Sequence, residues 1–158
     1  MKTIHKIGLG GGCHWCTEAV FQAVAVVQKV EQGYISSTTP YDSLSEAVIV
    51  HFNDLVNLEQ LIDIHLETHA STQQYSKRED YRSAIYYFDK ETQNEINSIL
   101  STLSQKRSIN YITAILPFVE FKPSRESIQN YYKTRPDAPF CKRYIEPKLK
   151  LVSEIIKN

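Results

Sequence analysis

The chain has no apolar run long enough to span a bilayer, and its first residues carry no secretory apolar core. A membrane protein is therefore not expected, and a cytoplasmic one is. Charge of one sign is missing too, since 18 Lys and Arg balance 18 Asp and Glu for a formal net charge of zero. Without a long basic stripe, nucleic acid and an anionic membrane surface are excluded as main partners. Cysteine is scarce and odd in number, three in 158 residues, which argues against a closed framework of structural disulfides. In a reducing compartment such cysteines more often do redox or metal chemistry than hold a fold together. No repeat, linker or low-complexity tract interrupts the chain, so residues 1–158 are expected to form one domain. That length buries a core without staples, and 42% hydrophobic with 23% charged residues is ordinary globular composition.

What the chain does have is concentrated in Gly10-Gly11-Gly12-Cys13-His14-Trp15-Cys16-Thr17-Glu18. A short apolar strand, Ile4 to Leu9, runs into three glycines, then a cysteine, then a helical pattern. Cys13 is thereby expected at or just before a helix N-terminus, where unpaired N–H groups and the helix dipole favour a thiolate. Glycines let backbone and substrate approach closely, and Trp15 can wall an apolar pocket beside the sulfur. A lone buried cysteine is usually a small inert hydrophobe; the glycine approach and the second cysteine three residues on point instead to reactivity.

Periodicity predicts a strand at 3–9, a helix at 14–25, a strand at 27–35 and a loop at 36–43. A strongly apolar strand at 47–52 follows, then a helix at 58–69, a polar loop at 71–80 and a strand at 82–88. Residues 90–105 read as a helix N-capped by Asp89, 111–121 as a strand region, and 124–133 as a short helix capped by Ser124. Pro136 and Pro139 make 134–141 turn-rich, placing Cys141 on a mobile surface segment, and 144–157 suits a helix packed on the body. The β-α-β-β-α-β order implies an α+β fold, a two-layer plait with a ferredoxin-like sheet, helices on one face and an added C-terminal helical tail.

The segment Gly12-Cys13-His14-Trp15-Cys16-Thr17-Glu18 resembles the signature of the peptide methionine sulfoxide reductase A family. Four further blocks follow in that family's order: Ser45-Glu46-Ala47-Val48, Glu59-Gln60-Leu61-Ile62 with Glu67-Thr68-His69, Tyr81-Arg82-Ser83-Ala84-Ile85-Tyr86, and Gln129-Asn130-Tyr131-Tyr132 with Arg135-Pro136 and Cys141. The resemblance implies reduction of methionine S-sulfoxide, free or in proteins, with thioredoxin as reductant and no cofactor or metal. By the same resemblance Cys13 is the nucleophile, Glu46 the acid at the sulfoxide oxygen, Tyr81 a tyrosine that helps hold it, and Trp15 the wall around the methyl group. Chemistry agrees, because a sulfoxide oxygen leaves far more easily once protonated. Burial beside Val48 and a negative sulfur would both favour a neutral carboxyl there. Glu18 matches a motif glutamate and is expected to be structural.

Departures from the family pattern are informative. His14 stands where phenylalanine is usual, so an apolar wall becomes titratable, and a protonated His14 beside Cys13 would favour the thiolate. The loop before Glu46 is short; its oxygen-binding tyrosine falls nearest Tyr41, with Tyr34 the weaker candidate. Cys16 lies one turn from Cys13, so Cys16 or Cys141 can resolve a sulfenic acid, singly or as a relay, with Cys141 preferred. Three rival readings use the same residues. Cys13, Cys16, His65 and His69 are zinc-type ligands, although their separation far exceeds that of a zinc finger. A cysteine pair opening a helix after a strand also suits a thioredoxin-like dithiol oxidoreductase, or a degenerate relative that only binds.

Overall fold

The computed structural model describes residues 4–73 and 76–157. Its first half alternates β1 (His5–Gly10), α1 (His14–Gln22), β2 (Val27–Ser36), β3 (Ser45–Phe52), α2 (Leu58–Glu67) and β4 (Ala84–Tyr87). There follow α3 (Lys90–Arg107), β5 (Ala114–Pro117), β6 (Glu120–Pro123), the single helical turn α4 (Tyr131–Thr134) and α5 (Glu146–Lys157). The six strands form one sheet in the order β5-β4-β1-β3-β2-β6. Its central four strands, β4-β1-β3-β2, run antiparallel to one another, the split β-α-β arrangement expected from the element order, and β5 joins β4 in parallel.

Alternation along the strands divides the core in two. Ile7 and Leu9 of β1, Val48, Val50 and Phe52 of β3, and Ile85 of β4 face the helices. There they meet Val20 and Phe21 of α1, Leu58, Leu61 and Ile62 of α2, Ile96 and Leu103 of α3, and Val152 of α5. The opposite residues, Ile35, Ala47, Ile49, Ala84 and Tyr86, pack with Leu116 into a second cluster that holds no helix side chain among the described residues. The sheet covers this cluster itself. β5 and β6 lie at opposite ends of the sheet, yet only Phe118 and Val119 separate them. Five strand spacings in a flat sheet come to roughly 24 Å, whereas three Cα steps span at most about 11 Å. The sheet must therefore curl, and the corner is fastened on both sides: Phe118 N–H donates to Tyr87 O and Val119 N–H to Ser36 O. Gly8 lies inside the curl, where a Cβ would come within 2.7 Å of Ile35 Cδ1.

Several boundaries differ from the sequence reading. α1 stops at Gln22 and α2 at Glu67, and the strand expected over 82–88 pairs only across Ala84–Tyr87. The strand region 111–121 is two short strands broken at the corner, because one chain segment serves both ends of the sheet. The helix expected over 124–133 reduces to a 3₁₀ turn, Glu126–Ile128, and the one turn of α4. Ser124 caps nothing; its hydroxyl is buried without a hydrogen-bond partner among the described residues. Asp89 does cap α3, accepting from Thr92 N–H at 2.8 Å. Cys141 is fully buried and opens a π-helical turn, Cys141–Ile145, that runs into α5, not an exposed mobile segment.

Candidate active site

The glycine run delivers Cys13 to the N-cap of α1 in extended conformation, φ −60° and ψ 127°. Its carbonyl accepts from Cys16 N–H and Thr17 N–H, and the Thr17 hydroxyl adds a third donor at 3.2 Å. The approach to it needs glycine at Gly11, where φ is +150° and a Cβ would collide with the His69 ring. Arg78, 9% exposed, then ties this loop down from the other side. Its guanidinium donates to Gly11 O at 2.7 Å and to Tyr81 O at 3.0 Å, joining the cysteine loop to the segment that carries the tyrosine.

Glu46 stands second in β3, next to that segment, with its N–H donating to Asp80 O at 2.9 Å. Its Oε1 accepts from the His14 N–H, the first backbone donor of α1, at 3.1 Å. The carboxyl thus lies over the helix N-terminus that also carries Cys13. Tyr81 completes the group: the nearby Glu46 carboxylate raises its hydroxyl above the usual range, with burial, Cys13 and a hydrogen bond to Glu46 adding. Cys13, Glu46 and Tyr81, from three separate parts of the chain, share one place.

The second cysteine changes the electrostatics of the first. The Cys13 and Cys16 thiols lie close enough to perturb each other. Cys13 is pushed well up, first by Cys16 and then by burial. Cys16 is pulled down by Cys13, with Lys148 assisting. The two thiols titrate as one unit, in place of the isolated Cys13 thiolate expected from the helix N-terminus. Cys141 joins the same apolar cluster with Cys16, Ala19 and Ile145. Burial, and Cys16 beside it, push its thiol up.

The profile of the peptide methionine sulfoxide reductase family matches residues 5–158. The chain belongs to this family. It is 36% identical to peptide methionine sulfoxide reductase MsrA of Psychrobacter sp. over 92% of this chain and 93% of that protein. Among solved structures, Mxr1 of Saccharomyces cerevisiae in reduced form superposes with a TM-score of 0.76 at 22% identity, covering 87% of this chain and 89% of that one. Mxr1 has also been solved in complex with Trx2, and there the TM-score is 0.63 at 21% identity over 81% of this chain and 84% of that one.

Other residues expected at the reductase site divide by where the fold puts them. Trp15 stacks on Tyr131, ring centroids 4.3 Å apart, and meets Phe140 edge-on at 5.2 Å, making a three-ring wall where one ring was expected. His14 is buried, and its ring lies between Gly33 O, Glu46 and Tyr34. Tyr41 is 40% exposed, with Arg82 over its ring at 5.7 Å, whereas Tyr34 is the candidate tyrosine that touches the site through His14. Glu18 is structural as expected: it accepts from Gln32 Nε2 at 2.9 Å and from the N–H groups of Asn130 and Tyr131 at 3.0 and 3.3 Å. Through those bonds it sets Tyr131 against Trp15.

His65 and His69 do not converge on the cysteines as ligands. His65 Nε2 donates to Gly10 O, while His69 donates from Nδ1 to His65 O and accepts at Nε2 from Ser83. Among the described residues no group of three or more His, Cys, Asp or Glu is placed to hold a metal ion. Nor is any helix among them long and apolar enough to cross a membrane. Sequence reasoning missed Arg78, Tyr131 and Phe140 as parts of the site. The Gly11 carbonyl that Arg78 holds and the rings that face Trp15 are far away in the chain, so no local pattern marks them.

Proposed function

We propose that this protein reduces methionine S-sulfoxide, free or within proteins, to methionine in the cytoplasm. The carrying observation is the convergence of a half-buried helix-capping cysteine, Cys13, with the Glu46 carboxyl and the Tyr81 hydroxyl. Cys13 attacks the sulfoxide sulfur as a thiolate while Glu46 protonates the oxygen and Tyr81 hydrogen-bonds it. The S–O bond then breaks, methionine leaves, and the oxygen remains on Cys13 as a sulfenic acid. The three rings of Trp15, Tyr131 and Phe140 supply apolar surface beside the sulfur for the substrate's methyl end.

Cys16, one turn along α1, is the thiol that acts most strongly on Cys13. Its attack on the sulfenic sulfur releases hydroxide, which leaves as water with a proton, and closes a Cys13–Cys16 disulfide. Cys141, packed against Cys16, then takes over that bond by exchange and frees Cys13. This order places Cys16 before Cys141, the reverse of the preference from sequence. Thioredoxin, the reductant expected from the family and consistent with the Mxr1–Trx2 complex, returns the disulfide to thiols.

Turnover of the separate S and R epimers of a methionine sulfoxide, with dithiothreitol as reductant, tests the reading. Wild type should reduce only the S epimer, and Cys13→Ser should reduce neither; R-selective turnover, or activity that survives in Cys13→Ser, would end it. The neighbouring thiols of Cys13 and Cys16 also favour a second reading, general dithiol exchange. That activity needs no acid at an oxygen, so it would survive Glu46→Gln, whereas sulfoxide reduction would not.

A further inference from the structure

We infer that His14 and Glu46 act as one proton-sharing pair, His14 being the positioning residue that shares with Glu46 the proton delivered to the sulfoxide oxygen. This rests on the reductase reading above and adds a participant to it. The argument starts from the imidazole's two nitrogens. His14 Nδ1 lies 2.7 Å from Gly33 O, and a carbonyl only accepts, so Nδ1 carries a hydrogen in either charge state. Nε2 is therefore the nitrogen that gains and loses a proton, and it lies 3.4 Å from Glu46 Oε1.

The surroundings leave that proton one partner. His14 is 2% exposed, and the Tyr34 ring closes its side edge-on at 5.1 Å. The Glu46 side chain is 20% exposed and so reaches both the imidazole and the open side of the site. The titratable groups that face the pair are Cys13 and Cys16 from α1, Tyr34 from β2, and Asp80 and Tyr81 from the segment before β4. Among the described residues, Glu46 is the carboxylate within ion-pair distance of His14.

Such a pair holds one proton as either a carboxylic acid beside a neutral imidazole or a carboxylate beside an imidazolium, at the same net charge. Glu46 gives the proton to the sulfoxide oxygen as the S–O bond is transferred to Cys13. The proton that Cys13 gives up as its thiolate forms enters the pair at Glu46, the member on the open side of the site, and is shared with His14 Nε2. The sum is a thiol and a sulfoxide going to a sulfenic acid and a sulfide, with no proton taken from or lost to water.

The test is the single-turnover rate of S-sulfoxide reduction from pH 5 to 9 in wild type, His14→Phe and His14→Gln. Glutamine holds a hydrogen bond at a similar reach but does not titrate. In both variants the alkaline limb should move to lower pH, while the pH profile of Cys13 alkylation stays put. An unchanged alkaline limb in both would overturn the inference, as would a matching shift in alkylation, which would place the effect of His14 on the sulfur. Imidazole ¹⁵N shifts probe the pair without turnover: Glu46→Gln should lower the His14 protonation midpoint, and an unmoved midpoint refutes the pairing. A wild type that fails to reduce the S epimer counts against the reductase reading, and the ¹⁵N titration then judges the pair alone.

Discussion

His14 and His65 are equally buried, each 2% exposed, and each is hydrogen-bonded to a backbone carbonyl near the cysteine loop. Their remaining nitrogens differ. That of His14 faces the Glu46 carboxyl, whereas Nδ1 of His65 has no partner among the described residues. Around His65 and its neighbour His69, the charges that count are cations, Arg78 and Lys148. Burial, then His69 beside it and those cations, hold His65 well below the usual imidazole range; burial and the cations hold His69 down at about 4. The same side chain is neutral scaffold on one side of the loop and proton handling on the other. What separates the two roles is an anion within reach, not the degree of burial.

Removing that anion should have the largest effect. Glu46→Gln makes the surroundings of His14 resemble those of His65 and takes away the acid, so S-sulfoxide reduction should fall roughly 10²- to 10⁴-fold. Melting temperature should change little, and single-turnover kinetics with thermal denaturation check both. Acid should expose the scaffold pair next. An unfolded histidine binds its proton near 6.5 and folded His69 only near 4, so between these the unfolded chain holds more protons and stability falls with falling pH. The contribution is intact above about pH 6.5, and about 3 kcal/mol of it is gone by pH 4. Denaturant titrations at pH 7, 5.5 and 4, in wild type and His69→Leu, should show that loss in wild type and a flatter dependence in the variant.

Smaller effects sharpen the contrast from the loop itself. Gly11→Ala drives a methyl into the His69 ring at a backbone angle that suits glycine, and should cost about 2 kcal/mol of stability by denaturant unfolding. His14→Phe leaves Gly33 O without its imidazole donor but keeps a ring against Tyr34. Its stability cost should be about 1 kcal/mol, below that of Gly11→Ala.

The central plait was legible because its signals are local. Alternation in Ala47–Phe52 and helical spacing in Leu58–His65 reflect which face each residue buries. The corner at Phe118–Val119 was not, since its hydrogen bonds run to Tyr87 and Ser36, 31 and 83 residues away as the numbering counts. The site divides in the same way. Cys13 announces itself through glycines and a helix start, whereas Glu46 and Tyr81 stood out only through the family resemblance, being ordinary residues at a strand start and a loop end. The direction of the His14 ring depends on Gly33 and Glu46, which pair with each other's strands, and no local pattern carries that.

The corner also bears on how the chain is made. β5 and β6, the two end strands of the sheet, come from one ten-residue stretch, 114–123, late in the chain. Until that stretch is in place, β4 and β2 are both bare sheet edges, β2 along its whole ten residues. Bare edges recruit strands from other chains. A nascent or truncated chain ending before residue 114 would hold every residue of the Cys13–Glu46–Tyr81 group and still be prone to aggregate. The cover that keeps such chains from pairing with one another is added last, by a segment that contributes none of those three side chains.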